Sequence, residues 1–97
     1  MDYKLIWTEE AVNNLEGILD YLNQNWTKKE ASNFKLKLHK QLDLIVQNPF
    51  IFPRSFHHSR LRKAVLSKQT SIFYEVKDNI IYLAYLFVNH MNIERIK

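Results

Sequence analysis

Arg60, Arg62, Lys63 and Lys68 lie within nine positions of one another and directly precede the apolar run Ile72-Phe73-Tyr74, and His90 follows the last long apolar stretch. Side chains of these types could serve RNA cleavage. That reaction needs a group to take the ribose hydroxyl proton, a group to protonate the leaving oxygen, and cations to meet the charge developing on the phosphate. Arg62, Lys63, Lys68, Tyr74 and His90 supply the types. Tyr74, however, alternates with Ile72 and Val76, and a period of two places its ring on the apolar face of a strand. The same cations could hold carboxylates or phosphates without chemistry, so binding and catalysis both stay open on these residues alone.

Other chemistries find less. There is no cysteine, hence no disulfide and no thiolate metal site. His39, His57, His58 and His90 contain no pair spaced for one helix face, and no metal site is expected. The only glycine, Gly17, falls inside a helical pattern. The chain therefore has neither a phosphate-cradling glycine loop nor a glycine-flanked serine nucleophile, and no cofactor is expected.

The elements that must position these residues can be read in order. Residues 3–7 alternate, with Tyr3, Leu5 and Trp7 on one side, and predict a short strand. Thr8 is placed as a helix N-cap, with Glu9 and Glu10 at the positive end of the helix dipole. Ala11, Leu15, Ile18, Leu19 and Leu22 form one helical stripe that ends near Asn23-Gln24-Asn25. Thr27-Lys28-Lys29-Glu30 is a capping box for a second helix: the Thr27 hydroxyl accepts from the Glu30 amide and Glu30 reaches back. Trp26 is expected to pack as a staple on Ala31. Ala31, Phe34, Leu38, Leu42 and Ile45 make the buried stripe, and Asn48-Pro49 ends it, because the residue before proline disfavours helical backbone.

Residues 49–59 carry Phe50, Ile51, Phe52 and Phe56, which are expected to tuck beneath the helices; the alternative is an exposed patch that docks a partner. Strands follow at residues 61–66, 71–76 and, after the turn Asp78-Asn79, 80–88. The last is apolar on both faces, as in a central strand covered by helices. The order β-α-α-β-β-β predicts an α+β fold, a helical hairpin packed on one face of a mostly antiparallel sheet. Residues 1–97 read as one domain.

Ninety-seven residues, 46% hydrophobic and 13% aromatic, can build one modest core. No basic-then-apolar leader is seen, and the longest apolar run, nine residues, falls short of the roughly 20 that span a bilayer. A soluble cytoplasmic protein without a membrane partner is expected. The net charge of +4 conceals a segregation. Residues 1–27 carry one basic and five acidic groups, residues 28–68 ten basic and two acidic, and residues 69–97 three of each. A middle segment at +8 predicts an acidic partner, nucleic acid or protein. Lys28, Lys29, Lys35, Lys37 and Lys40 also read as the solvated face of the second helix.

Taken in order, these residues resemble the RelE/ParE superfamily of bacterial type II toxins, and more closely its ParE branch. The resemblance runs through Ile6-Trp7-Thr8-Glu9-Glu10-Ala11, Leu15, Ile18 and Tyr21-Leu22. It continues through Leu44-Ile45, Asn48-Pro49, Phe52-Pro53, Leu61-Arg62-Lys63-Ala64-Val65 and Ile72-Phe73-Tyr74-Glu75-Val76. It closes with residues 80–87 and Asn89-His90. It implies a small cytoplasmic toxin of the kind linked to plasmid stabilisation, neutralised by a cognate antitoxin that lays an extended or helical segment across the groove and sheet. The apolar loop of residues 50–56 is then a candidate docking surface for that antitoxin. ParE-like toxins inhibit DNA gyrase by binding; RelE-like toxins cleave messenger RNA on the ribosome.

Position by position, the chain departs from the nuclease pattern. Arg62 matches a basic position, but Ala64 stands at the second, Ser71 at the arginine of the next strand, and His90-Met91 where a basic residue follows the last strand. No tyrosine occurs in residues 92–97. Each positioned acid, base or charge stabiliser is typically worth roughly 10²–10⁴-fold in rate. The resemblance therefore implies a binding toxin, with Arg60, Arg62, Lys63, Lys68 and His90 as contacts to the target or the antitoxin. His90 replaces an arginine often found at this turn in the ParE branch. The alternatives are a ribosome-dependent RelE-like endoribonuclease and a degenerate, non-toxic module that only binds its antitoxin.

Overall fold

The computed structural model describes residues 2–88. It contains, in chain order, β1 (Lys4–Trp7), α1 (Glu9–Asn25), α2 (Lys28–Gln47), β2 (Arg62–Val65), β3 (Thr70–Lys77) and β4 (Ile80–Val88). The four strands form one sheet in the order β1-β4-β3-β2. β1 runs parallel to β4, and the β3–β4 and β2–β3 pairs are antiparallel. This is the mostly antiparallel α+β arrangement expected from the order of elements.

Both helices start where threonine can cap them. The Thr8 hydroxyl accepts from the Ala11 amide at 3.1 Å, and the Thr27 hydroxyl accepts from the Glu30 amide at 3.2 Å. Each satisfies an amide that the first helical turn leaves without a partner. α1 stops at the Trp26 amide, which donates to the Leu22 carbonyl, and α2 stops at Asn48, which donates to Leu44. Ala11, Leu38 and Ile45 press onto Ala64, Ile72, Tyr74, Ile81, Leu83 and Leu86 of the sheet. Tyr74, Ile72, Ile81 and Leu83 are wholly enclosed, so Tyr74 belongs to the core as its alternation predicts.

β4 holds the fold together, because it carries β1 on one side and β3 on the other. Its ladder with β3 slips at one point: Tyr74 faces Leu83 but Phe73 faces Tyr85, leaving Ala84 as an extra residue. Such a bulge frees backbone groups that need other partners. α1 provides them. Thr8 Oγ1 donates to the Ala84 carbonyl at 2.8 Å, and Asn14 Oδ1 accepts from the Leu86 amide at 3.0 Å. β1 ends opposite Leu83, so α1 takes over the edge of β4 where the parallel strand stops. The β3–β4 turn is Asp78-Asn79, with Asp78 at φ 58°, a left-handed conformation aspartate tolerates.

β4 is central and apolar on both faces, and the helices cover one of them, the single-face packing expected from the order of elements. Tyr82, Tyr85 and Phe87 lie on the other, where the Phe73 and Tyr85 rings stack at 4.7 Å. One expectation needs correction: the aromatic loop does not tuck away as a unit. Phe52 packs against the core, while Phe50, Ile51 and Phe56 remain exposed. One pinned turn can aim only part of its side chains inward.

Candidate protein-docking surfaces

A groove of about 800 Å³ lies between the helical hairpin and the β2–β3 turn. Ile18, Tyr21, Leu22, Trp26, Leu66 and Leu86 give it an apolar floor, and Lys37 and Lys40 stand at its rim. Trp26, predicted to staple α2, is half exposed and lines this groove. Gly17 also lines it, and a β-carbon there would meet nothing within 4 Å. The shape accepts an apolar segment of another chain, and the lysines suit one that carries carboxylates.

The second surface is the basic hairpin. Arg62 heads β2 opposite Tyr74, and Lys63 lies opposite Phe73. Their side chains part company. The half-buried Arg62 donates from Nη1 to the Phe52 carbonyl at 2.7 Å and stands 5.0 Å over the Phe50 ring. Lys63 is on the open sheet face, 5.9 Å from the Phe73 centroid. Arg60 lies in the preceding loop and Lys68 in the turn after β2, both exposed. The four cations are thus spread over the loop, the two faces of β2 and the turn that follows it. His90 lies outside the described residues.

Acid–base chemistry fits these positions poorly. The Tyr74 hydroxyl is buried and donates to the Pro49 carbonyl at 2.7 Å. Burial pushes this phenol above its usual value of 10.0; the Arg62 charge and a backbone group of Phe52 act in the opposite sense without prevailing. The position of Ala64 is enclosed on the helix-facing side of β2, so a charge there would not reach the open face. On that open face Lys63 stands near Phe73, and Ser71 lies across from Phe87. Tyr85 is also raised, by burial and then by the Glu10 carboxylate.

The positive field is uncompensated. Among the described residues the one ion pair is His39–Asp43 at 3.4 Å, with both side chains exposed. No lysine or arginine of residues 28–68 therefore has a carboxylate within ion-pair distance among those residues.

The sequence matches the ParE toxin of the type II toxin–antitoxin system, parDE, over residues 5–93. The chain belongs to the ParE toxin family. Solved structures share its fold. A chromosomal ParDE system from P. aeruginosa has a TM-score of 0.76 at 19% identity, covering 89% of this chain and 95% of that one. The E. coli DinJ–YafQ toxin–antitoxin complex has 0.65 at 9% identity, covering 94% and 97%. The toxin–antitoxin complex RelBE2 from Mycobacterium tuberculosis has 0.62 at 10%, covering 91% and 99%. No curated protein matches the sequence. The ParE-like toxin is thus a two-helix, four-stranded α+β protein, and no helix among its described residues is long and apolar enough to cross a membrane.

What the sequence conceals here is the use of Arg62 and Phe56. Arg62 reads as a contact cation, and Phe56 as one of several apolar residues of a loop. Only the path of the loop assigns one to a carbonyl and a ring and leaves the other in water.

Proposed function

We propose that this ParE-family toxin acts as one domain in the cytoplasm, inhibits DNA gyrase by binding it, and is held inactive by a cognate antitoxin lying in the groove of α1 and α2. The observation that carries this reading is the family match across residues 5–93. The side chains support binding over catalysis. Tyr74 and Arg62, the groups a nuclease would need free, are engaged with the carbonyls of Pro49 and Phe52. Arg60, Lys63, Lys68 and His90 are proposed as direct contacts, with Arg62 contributing from the base of the loop.

An antitoxin that fits the groove brings apolar anchors for Trp26, Leu66 and Leu86 and carboxylates for Lys37 and Lys40. Purified toxin should inhibit negative supercoiling by gyrase, and stoichiometric antitoxin should restore it. Supercoiling that continues at large toxin excess removes the gyrase assignment. New 5′ ends within codons after induction, read by primer extension, would move the protein to the ribosome-dependent nucleases.

A further inference from the structure

Residues 54–60 place an apolar ring in water on a rigid base. Phe56 is 95% exposed, and its ring meets His57 edge-on at 5.4 Å. The backbone around it is tied at every side. The Ser55 amide donates to the Leu61 carbonyl at 2.7 Å, the Leu61 amide to His58 at 2.9 Å, and the Lys63 amide to Pro53 at 3.0 Å. Arg54 Nη1 donates to the Ser59 carbonyl at 2.8 Å, and Arg62 fastens Phe52 below. Ser55 itself is buried. A loop held this way has little freedom left to lose on association, and preorganisation of that kind removes much of the cost of binding.

We infer that the tip at residues 54–60 is a docking knob for the toxin's target, a protein surface with an apolar pocket for the Phe56 ring and carboxylates around it. The inference rests on the toxin reading given above. Charge specifies the partner's rim. No aspartate or glutamate occurs at positions 44–74, whereas Arg54 and Arg60 belong to the tip and Arg62 and Lys63 follow it in sequence. The nearest acid is Glu75, which lines a shallow pocket of about 330 Å³ with His57, His58 and Arg60. Exposed aromatics beside arginine are the side chains that dominate protein interfaces. Nucleic acid fits less well. Binding its backbone takes many phosphate contacts, on the order of 6–10 in strong cases, and here Arg54 and Arg62 already donate to loop carbonyls.

Position separates this knob from the groove. The groove is built on α1, on α2 as far as Lys40, and on the turn after β2. The knob follows the far end of α2 and enters β2 at its start. From Lys40 to the end of α2 at Gln47 the helix runs on for seven residues, about 10 Å. An antitoxin segment confined to the groove leaves the knob uncovered.

The test compares the full chain with Phe56→Ser and Phe56→Trp. Three readouts are taken: growth arrest on expression, binding to purified gyrase, and affinity for the cognate antitoxin. Phe56→Ser should abolish arrest and weaken target binding at least about tenfold, with antitoxin affinity unchanged; Phe56→Trp should retain all three. Because the ring is almost fully exposed, Phe56→Ser should fold like the wild-type chain, and circular dichroism checks it. Full toxicity of Phe56→Ser overturns the inference. So does a parallel fall in antitoxin affinity, which would give the knob to the antitoxin, or salt-sensitive binding of a DNA duplex that Phe56→Ser abolishes. Phe56-dependent arrest without gyrase binding supports the knob and removes gyrase. A wild-type chain that arrests nothing overturns the toxin reading and this inference with it.

Discussion

Tyr74 and Pro49, 25 positions apart, are joined by a 2.7 Å hydrogen bond from the phenol to the carbonyl, inside the core. The bond ties the middle of β3 to the point where α2 ends and the loop begins. Removing the hydroxyl strands a buried acceptor, and such a group costs roughly 1–3 kcal/mol. Tyr74→Phe should therefore lower the unfolding free energy by that amount, read as a lower urea midpoint with an unchanged denaturant slope. A loss well under 1 kcal/mol would mean that water reaches the Pro49 carbonyl.

The same burial makes stability sensitive to alkali. The Tyr74 phenol is neutral when protonated, and its folded value lies above the ordinary 10.0. The unfolded chain then releases the proton first. The contribution is whole below about pH 10 and is lost as pH rises towards the folded value. Tyr85 adds a loss of the same sign. Thermal unfolding followed from about pH 8 to pH 11 should show a falling limb, shallower in Tyr74→Phe. An identical limb in that variant would assign the whole effect elsewhere.

Arg62 should behave as a fastener of the loop. Lysine keeps the charge but loses the planar fork that reaches the Phe52 carbonyl while lying over Phe50. Arg62→Lys and Arg62→Ala should both speed tryptic cleavage after Arg60, several-fold over the wild-type chain. Cleavage restored to the wild-type rate by lysine would show that charge alone matters at this position.

Gly17 sits in mid-helix with open space where a side chain would project. Alanine there should stabilise α1 by about 0.5–1 kcal/mol, a rise of several degrees in Tm for a domain of this size. Gly17→Leu should instead fill part of the groove and weaken the antitoxin about tenfold, measured by calorimetry. Undiminished antitoxin affinity in that variant would exclude the α1 rim from the interface.

Much of the frame was legible because it rests on local chemistry. Thr8 and Thr27 announce their helices through hydroxyls placed to accept amides three residues on. The alternation of Ile72, Tyr74 and Val76 announces the buried face of β3. The Ala84 bulge was not legible, since it exists to meet Thr8 and Asn14 from a distant helix. Phe50, Ile51, Phe52 and Phe56 read alike as apolar residues; the loop's backbone bonds decide that Phe52 turns in and Phe56 turns out. The groove likewise arises from the angle between elements, which no periodicity records.

The pairing of β1 with β4 reaches across almost the whole described chain, with Lys4 beside Ile80 and Trp7 beside Leu83. Contacts of such separation form late, because closing the intervening loop costs entropy before any bond is gained. A chain emerging from the ribosome can build its helical hairpin early, but β1 has no strand to join until residues 80–83 are free. Synthesis itself thus delays the finished sheet until almost the whole described chain has been made.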